Sequence, residues 1–249
     1  MPECEISSLT DGYFIEPSVL SDLECEALLA SLIHPKRGRA GARHLMRHPA
    51  IARLAADGRL LVLARRVLGG RAVPFRATLF EKSAAANWLF AWHQDHALPL
   101  TARFDAPGWG PWSEKGGILD AHAPSLALSR VVALRVHLDA STTDNGPLRV
   151  IPTSHCLGVL TDAQVLDFAK AHDPTEYVVH RGGVIAMRPL IIHSSSKARA
   201  REASASASHR ICGFVIARPR HQVGHRLTSK LPLPKGPSRI SRLGFSFRW

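Results

Sequence analysis

The feature that most constrains the fold is a series of short apolar segments, each bounded by turn-forming residues. The segments are VPFRATLFEK (73–82), RVVALRVHLD (130–139), PLRVIP (147–152), YVVHRGGVIAMRP (177–189), LIIHSSS (190–196) and HRICGFVIA (209–217). They are rich in β-branched residues or alternate between apolar and polar residues, and glycine, proline, asparagine or aspartate separates them. This pattern predicts an antiparallel sandwich or barrel.

Helical patterns precede this β-rich part and interrupt it once. Residues 18–33 repeat apolar side chains at helical spacing, and Ser21 with Glu24 matches a capping box. Residues 50–68 predict one or two further helices with a weak point at Gly58, and residues 161–172 predict a helix capped by Thr161. The order of elements favours a mainly β fold, a jelly roll with flanking helices.

The length of the chain favours one domain. With 249 residues, of which 45% are hydrophobic, the chain can bury one sizeable core. We expect a single domain over 1–220, with a helical N-terminal part at about 1–70 and a jelly-roll core at about 73–217. Residues 221–249 are basic and contain proline, glycine and serine, which predicts an extended tail.

The sequence favours a cytoplasmic protein. It contains no apolar run of about 18 residues, and its N-terminus lacks the basic and then apolar layout of a secretory signal. The four cysteines are far apart and form no CxxC pair, which is typical of a reducing compartment.

The charge of the chain indicates an anionic partner. There are 32 Lys and Arg against 20 Asp and Glu, a formal net charge of +12. Such a balance favours nucleic acid, a phosphorylated or CoA-linked substrate, or a small carboxylate. The basic residues are scattered and not interleaved with aromatic ones, which favours a solvated basic surface, disfavours nucleic acid and leaves a small-molecule substrate of anionic character open.

The stretch WHQDHALPL (92–100) holds the candidate metal ligands. In a strand, His93 and Asp95 would point to the same face. His193 ends a strongly apolar segment just before three serines. Two histidines and one carboxylate are the facial ligand set of non-haem Fe(II) oxygenases, which leaves three positions open. A keto acid could fill two of the open positions, and its far carboxylate would then need a positive partner. Arg210, at the start of the following segment, offers a guanidinium group, whose paired N–H donors match a carboxylate.

With these motifs in place, the chain resembles the phytanoyl-CoA dioxygenase family of Fe(II)/2-oxoglutarate oxygenases. The segments that carry the resemblance are LTDGYFI, TLFEK, NWLFAWHQD, DNGPLRVIPTSH, GGVIAMRPLIIHSSS and HRICGFVIA, which span about 9–217. The resemblance implies a double-stranded β-helix of the cupin-like type. It also implies Fe(II), 2-oxoglutarate and dioxygen as cofactor and co-substrates.

The resemblance also assigns roles to individual residues. His93, Asp95 and His193 match the iron ligands. Ser195 and Arg210 match positions that hold 2-oxoglutarate, and Thr78 and Arg135 fall where the family contacts the same co-substrate. The segment between His193 and Arg210 is longer than in the family, which leaves His209 as the alternative to Arg210. In the turn IPTSH, Thr153 stands where the family has glycine.

The implied reaction is oxidation of a C–H bond, most simply hydroxylation, of a small molecule, with release of succinate and carbon dioxide. Asp95 separates this chain from halogenating relatives, which replace the carboxylate ligand with a small residue. The loop GWGPWSEKGG (108–117) carries Trp109 and Trp112, which either line the substrate entrance or pack together. Alternative functions are a non-catalytic metal-binding sensor or binding module and, less favoured, a nucleic-acid-associated protein. The sequence leaves the oligomeric state open.

Overall fold

The computed structural model describes residues 9–32, 41–83, 87–199 and 209–219. The strands in these ranges are β1 (Tyr13–Glu16), β2 (Gly41–Ala42), β3 (Val73–Lys82), β4 (Phe90–His93), β5 (Ala97–Leu100), β6 (Trp112–Lys115), β7 (Ile118–His122), β8 (Val131–His137), β9 (Leu148–Val150), β10 (Thr175–Glu176), β11 (Val184–Met187), β12 (His193–Ser195) and β13 (His209–Ala217). The helices are α1 (Asp22–Ser31), α2 (Pro49–Ala55), α3 (Gly58–Leu68), α4 (Ser125–Leu128) and α5 (Asp162–Ala171), with short 3-10 turns at Leu45–Arg47 and Ser154–Leu157.

The largest sheet has six strands in the order β1-β11-β8-β13-β3-β2, and its pairs are antiparallel. β13 lies at its centre, with Gly213 opposite Thr78 of β3 and opposite Arg135 of β8. Because side chains alternate along a strand, every second residue of β3, from Arg76 to Lys82, faces the same side of this sheet.

A four-stranded sheet, β10-β9-β12-β4, packs against one face of the six-stranded sheet. One buried cluster joins the two sheets. It contains Ala133, Ile185 and Met187 from the large sheet and Leu148 and Val150 from the small one. Two facing antiparallel sheets of this kind form a jelly roll, which confirms the predicted fold class.

The N-terminal helices cover the other face of the six-stranded sheet. Buried residues of α1, α2 and α3 share one apolar cluster with Leu79, Leu134 and Phe214 of the sheet. The capping box at Ser21 and Glu24 is formed, and Asp57 caps α3, so the break predicted near Gly58 is present. The N-terminal part is nevertheless not wholly helical, because β1 and β2 lie at the two edges of the sheet.

The strand predictions are confirmed best where strands are long and central. β3 and β13 have the predicted bounds, whereas only residues 184–187 of the predicted segment 177–189 form a strand. The prediction misses a third sheet, β5-β7-β6, because the glycines and tryptophans of 108–117 indicate a loop. The predicted tail, 221–249, lies outside the described residues. No helix in the described ranges is long and apolar enough to cross a membrane.

Candidate metal centre and its cavity

The two candidate histidine ligands are neighbours on paired strands. His93 ends β4 and His193 begins β12, and the register of this antiparallel pair places them directly opposite each other. Their ring centroids are 4.1 Å apart. His193 is almost fully buried, at 1% exposure, whereas His93 is partly exposed. The strand pairing therefore brings together two imidazoles that lie 100 residues apart in the sequence.

Both imidazole rings are oriented by a hydrogen bond to their own strand. The Nδ1 atom of His93 lies 2.8 Å from the carbonyl oxygen of Ala91, and that of His193 lies 2.9 Å from the carbonyl oxygen of Ile191. A carbonyl oxygen can only accept, so each Nδ1 must carry the proton. Both Nε2 atoms then present a lone pair to the space between the strands, as metal-binding histidines do.

Asp95 completes the group from just beyond the end of β4. Its backbone N–H donates to the carbonyl oxygen of Pro189 at 2.9 Å, which fixes the turn that follows the strand. Its carboxylate oxygens lie 3.7 Å from Nε2 of His93 and 3.6 Å from Nε2 of His193. The candidate ligand atoms of all three residues lie within 4.8 Å of one another.

A permanent positive charge lies beside this group. Nη2 of Arg135 is 3.6 Å from the carboxylate of Asp95 and 3.3 Å from Nε2 of His193. The guanidinium also lies over the ring of Phe80, 5.2 Å from its centroid. Arg135 reaches the centre from β8, so both sheets contribute to it.

The electrostatic environment keeps the three residues in the protonation states that a metal requires. Burial lowers the pKa of His193 to about 3, and the nearby His93 adds to this effect. Burial also lowers the pKa of His93. For Asp95, burial raises the pKa, but the charges of His193, Arg135 and His93 outweigh it and the net shift is downward. At neutral pH the site holds two neutral imidazoles and one carboxylate.

The three residues lie in the wall of a cavity of about 430 Å³ between the two sheets. Alternate residues of β3 line it: Arg76, Thr78, Phe80 and Lys82. From β13 the corresponding residues are His209, Ile211, Gly213 and Val215. Since each residue advances a strand by about 3.3 Å, Arg76 and Lys82 mark two ends of the cavity roughly 20 Å apart. Thr78 and Arg135 lie in one row between these ends.

One end of the cavity is built around the buried ammonium group of Lys82. Its Nζ donates to Oγ of Ser195 at 3.0 Å and to the carbonyl oxygen of Gly146 at 3.1 Å, and it contacts the carbonyl oxygen of Ser196. The same atom lies 4.9 Å from the centroid of a Trp88 ring. Burial, with a smaller contribution from Arg149, lowers the pKa of Lys82 to about 8, so the amine is mostly protonated at neutral pH.

His209 lies at the same end, and Arg210 does not. His209 is opposite Lys82 in the sheet and is buried, which lowers its pKa to about 4. The next side chain along β13 points to the other face, where Arg210 forms a two-pronged ion pair with Asp139, with N–O distances of 2.6 and 2.8 Å. The alternation of the strand explains why the cavity receives His209 and excludes Arg210.

Of the other residues predicted for the site, some line the cavity and some do not. Thr78, Arg135 and Ser195 line the same cavity as the three candidate ligands. Trp109 and Trp112 do not line it; they pack edge-to-face against Phe104, at centroid distances of 5.1 and 5.3 Å. Sequence reasoning missed Lys82. The signal for it was present, because a strand that points Thr78 inward also points Lys82 inward.

The donor set fits a transition metal. The two measured nitrogen–oxygen separations are shorter than about 4.2 Å, twice a typical metal–ligand bond, so one ion can touch both atoms of each pair. Two neutral imidazoles and one carboxylate in an open cavity are what mononuclear non-haem iron sites use. The fold and the site together define a cupin-like jelly-roll protein with a two-histidine, one-carboxylate centre.

Comparison with known proteins identifies the family to which the chain belongs. The family model described as Phytanoyl-CoA dioxygenase (PhyH) matches residues 9–203, more than half of the chain. The chain belongs to this family. The match lies within the predicted domain at 1–220.

Two curated relatives and one solved protein illustrate the family. L-proline trans-4-hydroxylase of Streptomyces griseoviridis is 28% identical over an alignment of 171 residues, and the match covers 58% of this chain and 56% of that protein. Ectoine dioxygenase of Sphingopyxis alaskensis is 31% identical over 150 residues, 55% of this chain and 42% of that protein. The chain thus spans about half the length of the curated relatives it matches.

The solved relative shares the fold. The crystal structure of EctD from S. alaskensis with 2-oxoglutarate and 5-hydroxyectoine superposes with a TM-score of 0.60 at 21% identity and covers 84% of this chain and 72% of that one. The same protein with bound iron gives a TM-score of 0.60 at 22% identity. At this level of identity the likeness shows the jelly-roll fold.

Proposed function

We propose that the protein is an Fe(II)- and 2-oxoglutarate-dependent oxygenase that hydroxylates a small molecule in the cytoplasm. The observation that carries the proposal is the convergence of His93, Asp95 and His193 on one point of the cavity wall, with both Nε2 atoms directed at the space between the strands. When bound there, iron with 2-oxoglutarate and dioxygen would supply the oxidation of a C–H bond, with succinate and carbon dioxide as by-products.

The protein's own residues would hold 2-oxoglutarate by its two charged ends. At the inner end of the cavity, which is the end at Lys82, the Ser195 hydroxyl accepts from the Lys82 ammonium and can itself donate to the carboxylate that lies farther from the metal, while the ammonium supplies the neutralising charge. His209, neutral at neutral pH, lies at the same end, and its Nε2 atom is 3.4 Å from Nδ1 of His137. Arg135, beside Asp95, is placed to neutralise the carboxylate nearer the metal. In this proposal His209, and not Arg210, occupies the position next to the co-substrate.

The remaining residues would position the ligands and keep the site dry. Gln94 lies between His93 and Asp95 and is buried at 4% exposure. Its amide donates to the carbonyl oxygens of Gly158 and Leu190 and accepts from the backbone N–H of Leu160. These bonds tie the ligand-bearing turn to two neighbouring loops, so they fix the carboxylate relative to the imidazoles.

The test is turnover of 2-oxoglutarate. Purified protein is incubated with Fe(II), 2-oxoglutarate, dioxygen and a panel of small acids and amides, and succinate is measured. We expect succinate only when iron, 2-oxoglutarate and dioxygen are all present, and none from Asp95→Ala. Asp167→Asn, which removes an exposed carboxylate on α5, should behave as the wild type.

Succinate formation that Asp95→Ala retains would contradict the proposal. Binding of metal and 2-oxoglutarate without iron-dependent succinate for any member of the panel would instead favour the non-catalytic sensor or binding module.

A further inference from the structure

The end of the cavity opposite Lys82 is also charged, and the proposed reaction leaves its residues without a role. Arg76 of β3, Asp120 of β7 and the loop residues Arg43 and His44 line it. Arg76 is two residues from Thr78 along the inward face of β3, about 7 Å toward this end. A substrate that enters here therefore meets the basic residues on one side and the metal ligands on the other.

The charges at this end do not balance. Arg76 is ion-paired with the carboxylate of Asp120, and it also donates to the carbonyl oxygen of Ala97 at 3.4 Å. Arg43 is exposed and forms no ion pair with any residue in the described ranges. Asp120 thus offsets the charge of Arg76, whereas Arg43, which also lines the cavity, has no such carboxylate partner among the described residues.

His44 adds a neutral hydrogen-bond group to the same cluster. Burial lowers its pKa, and the positive charges of Arg47, Arg76 and Arg43 lower it further. Its backbone is held in the left-handed region, at a φ of 61°, next to the turn between β6 and β7. The cluster is therefore assembled from three separate parts of the chain.

Apolar side chains also line the cavity, alongside the polar residues Ser113, His96 and His122. Phe75, Met46, Leu98, Ile118 and Val131 line it between the basic cluster and the metal ligands. An apolar wall with a few convergent polar groups is typical of a small-molecule site, in which the polar groups fix orientation. Here the convergent groups are cationic donors, and a carboxylate or phosphate is the group that a guanidinium fork recognises best.

We infer that the substrate is a small molecule with an acidic group and an apolar body, and that Arg43 and Arg76 bind the acidic group at the end of the cavity opposite Lys82. Asp120 orients Arg76 and limits its charge. This inference rests on the proposed function, because it takes the inner end to be occupied by 2-oxoglutarate. It specifies which part of the substrate lies away from the metal.

Saturation-transfer NMR on protein loaded with Zn(II) and saturating 2-oxoglutarate tests the inference without turnover, because 2-oxoglutarate then occupies the end of the cavity at Lys82 and the probes report on the opposite end. The probes are two matched pairs, hexanoate with hexanamide and 3-phenylpropanoate with 3-phenylpropanamide. We expect each carboxylate to bind about tenfold more tightly than its amide, because a charge-assisted hydrogen bond is lost in the amide. Arg43→Gln should abolish this preference, and Arg53→Gln, an exposed arginine on α2, should keep it.

Two further variants locate the acid within the cavity. Asp120→Asn should tighten carboxylate binding several-fold, since it releases the charge of Arg76. Lys82→Met should leave the preference for carboxylates unchanged, because Lys82 lies at the other end.

Equal binding of acids and amides would overturn the inference, and so would loss of the preference in Lys82→Met but not in Arg43→Gln. Neither result would affect metal-dependent binding of 2-oxoglutarate, which tests the proposed function separately.

Discussion

At the scale of single residues, the structure brings the three predicted ligands together but turns one predicted residue, Arg210, away from the cavity. His93, Asp95 and His193 converge because β4 ends where its antiparallel partner β12 begins. The prediction of this group rested on the His-x-Asp spacing, on the apolar segment that His193 ends, and on the resemblance to the family. Arg210 was predicted as a carboxylate partner, but the alternation of β13 turns it outward to Asp139. A shift of one residue along the strand decides whether His209 or Arg210 faces the cavity, and the composition of the segment does not show which of the two does.

The buried amine of Lys82 predicts a pH dependence for the binding of 2-oxoglutarate. Burial lowers its pKa to about 8, so the protonated fraction falls as the pH rises through that value. If the ammonium holds the far carboxylate, affinity should be constant below pH 8 and should weaken above it, by up to about tenfold per pH unit. Calorimetric titration of 2-oxoglutarate into Mn(II)-loaded protein without oxygen, from pH 6.5 to pH 9.5, measures this.

Two lysine variants control this titration. Lys82→Met should bind weakly at every pH, whereas Lys170→Met, which changes an exposed lysine on α5, should follow the wild type. Wild-type affinity that stays constant to pH 9.5 would show that Lys82 does not hold the carboxylate.

At the scale of elements, the centre of β13 depends on having no side chain at Gly213. A Cβ atom there would lie 2.9 Å from the ring of Phe80, whose other neighbour is the guanidinium of Arg135. Gly213→Ala should lower the free energy of unfolding by about 1–3 kcal/mol through overpacking. Urea unfolding monitored by circular dichroism measures the change.

Gly58 provides the matched control, because a Cβ atom there meets nothing within 4 Å at the start of α3. Gly58→Ala should leave stability unchanged or raise it by up to about 1 kcal/mol. Equal effects of the two substitutions would contradict the account of β13.

The elements also show how far the sequence could predict the fold. β3, β13 and the capped helices α1 and α5 carry strong local signals, and the structure has them where the patterns indicate. β1 and β2 are short edge strands whose pairing is decided by tertiary contacts, so no local pattern reveals them. Thr153 adopts a φ of 64°, a left-handed conformation that glycine reaches more easily than threonine.

At the scale of the whole molecule, the account predicts that the domain ends near residue 220. The last described strand, β13, ends at Ala217, and the family match covers 9–203. Deletion of 221–249 should therefore preserve cooperative unfolding and the response to metal and 2-oxoglutarate. Thermal unfolding of the shortened protein measures both.

Deletion of 209–249 is the contrasting variant, since it removes the strand that lies between β8 and β3. It should prevent folding. Loss of folded protein on removal of 221–249 alone would contradict the predicted boundary.

The central claim is that His93, Asp95 and His193 form one metal site to which 2-oxoglutarate binds. The most direct measurement is thermal unfolding without oxygen, with Mn(II) as a redox-inert substitute for iron, in the presence and absence of 2-oxoglutarate. At about 100 times its dissociation constant a ligand adds roughly 2.7 kcal/mol, which raises the unfolding temperature by a few degrees. The account predicts that 2-oxoglutarate stabilises the wild type only when Mn(II) is present, and that Asp95→Ala responds to neither. An equal response from Asp95→Ala, or no response from the wild type, would contradict it.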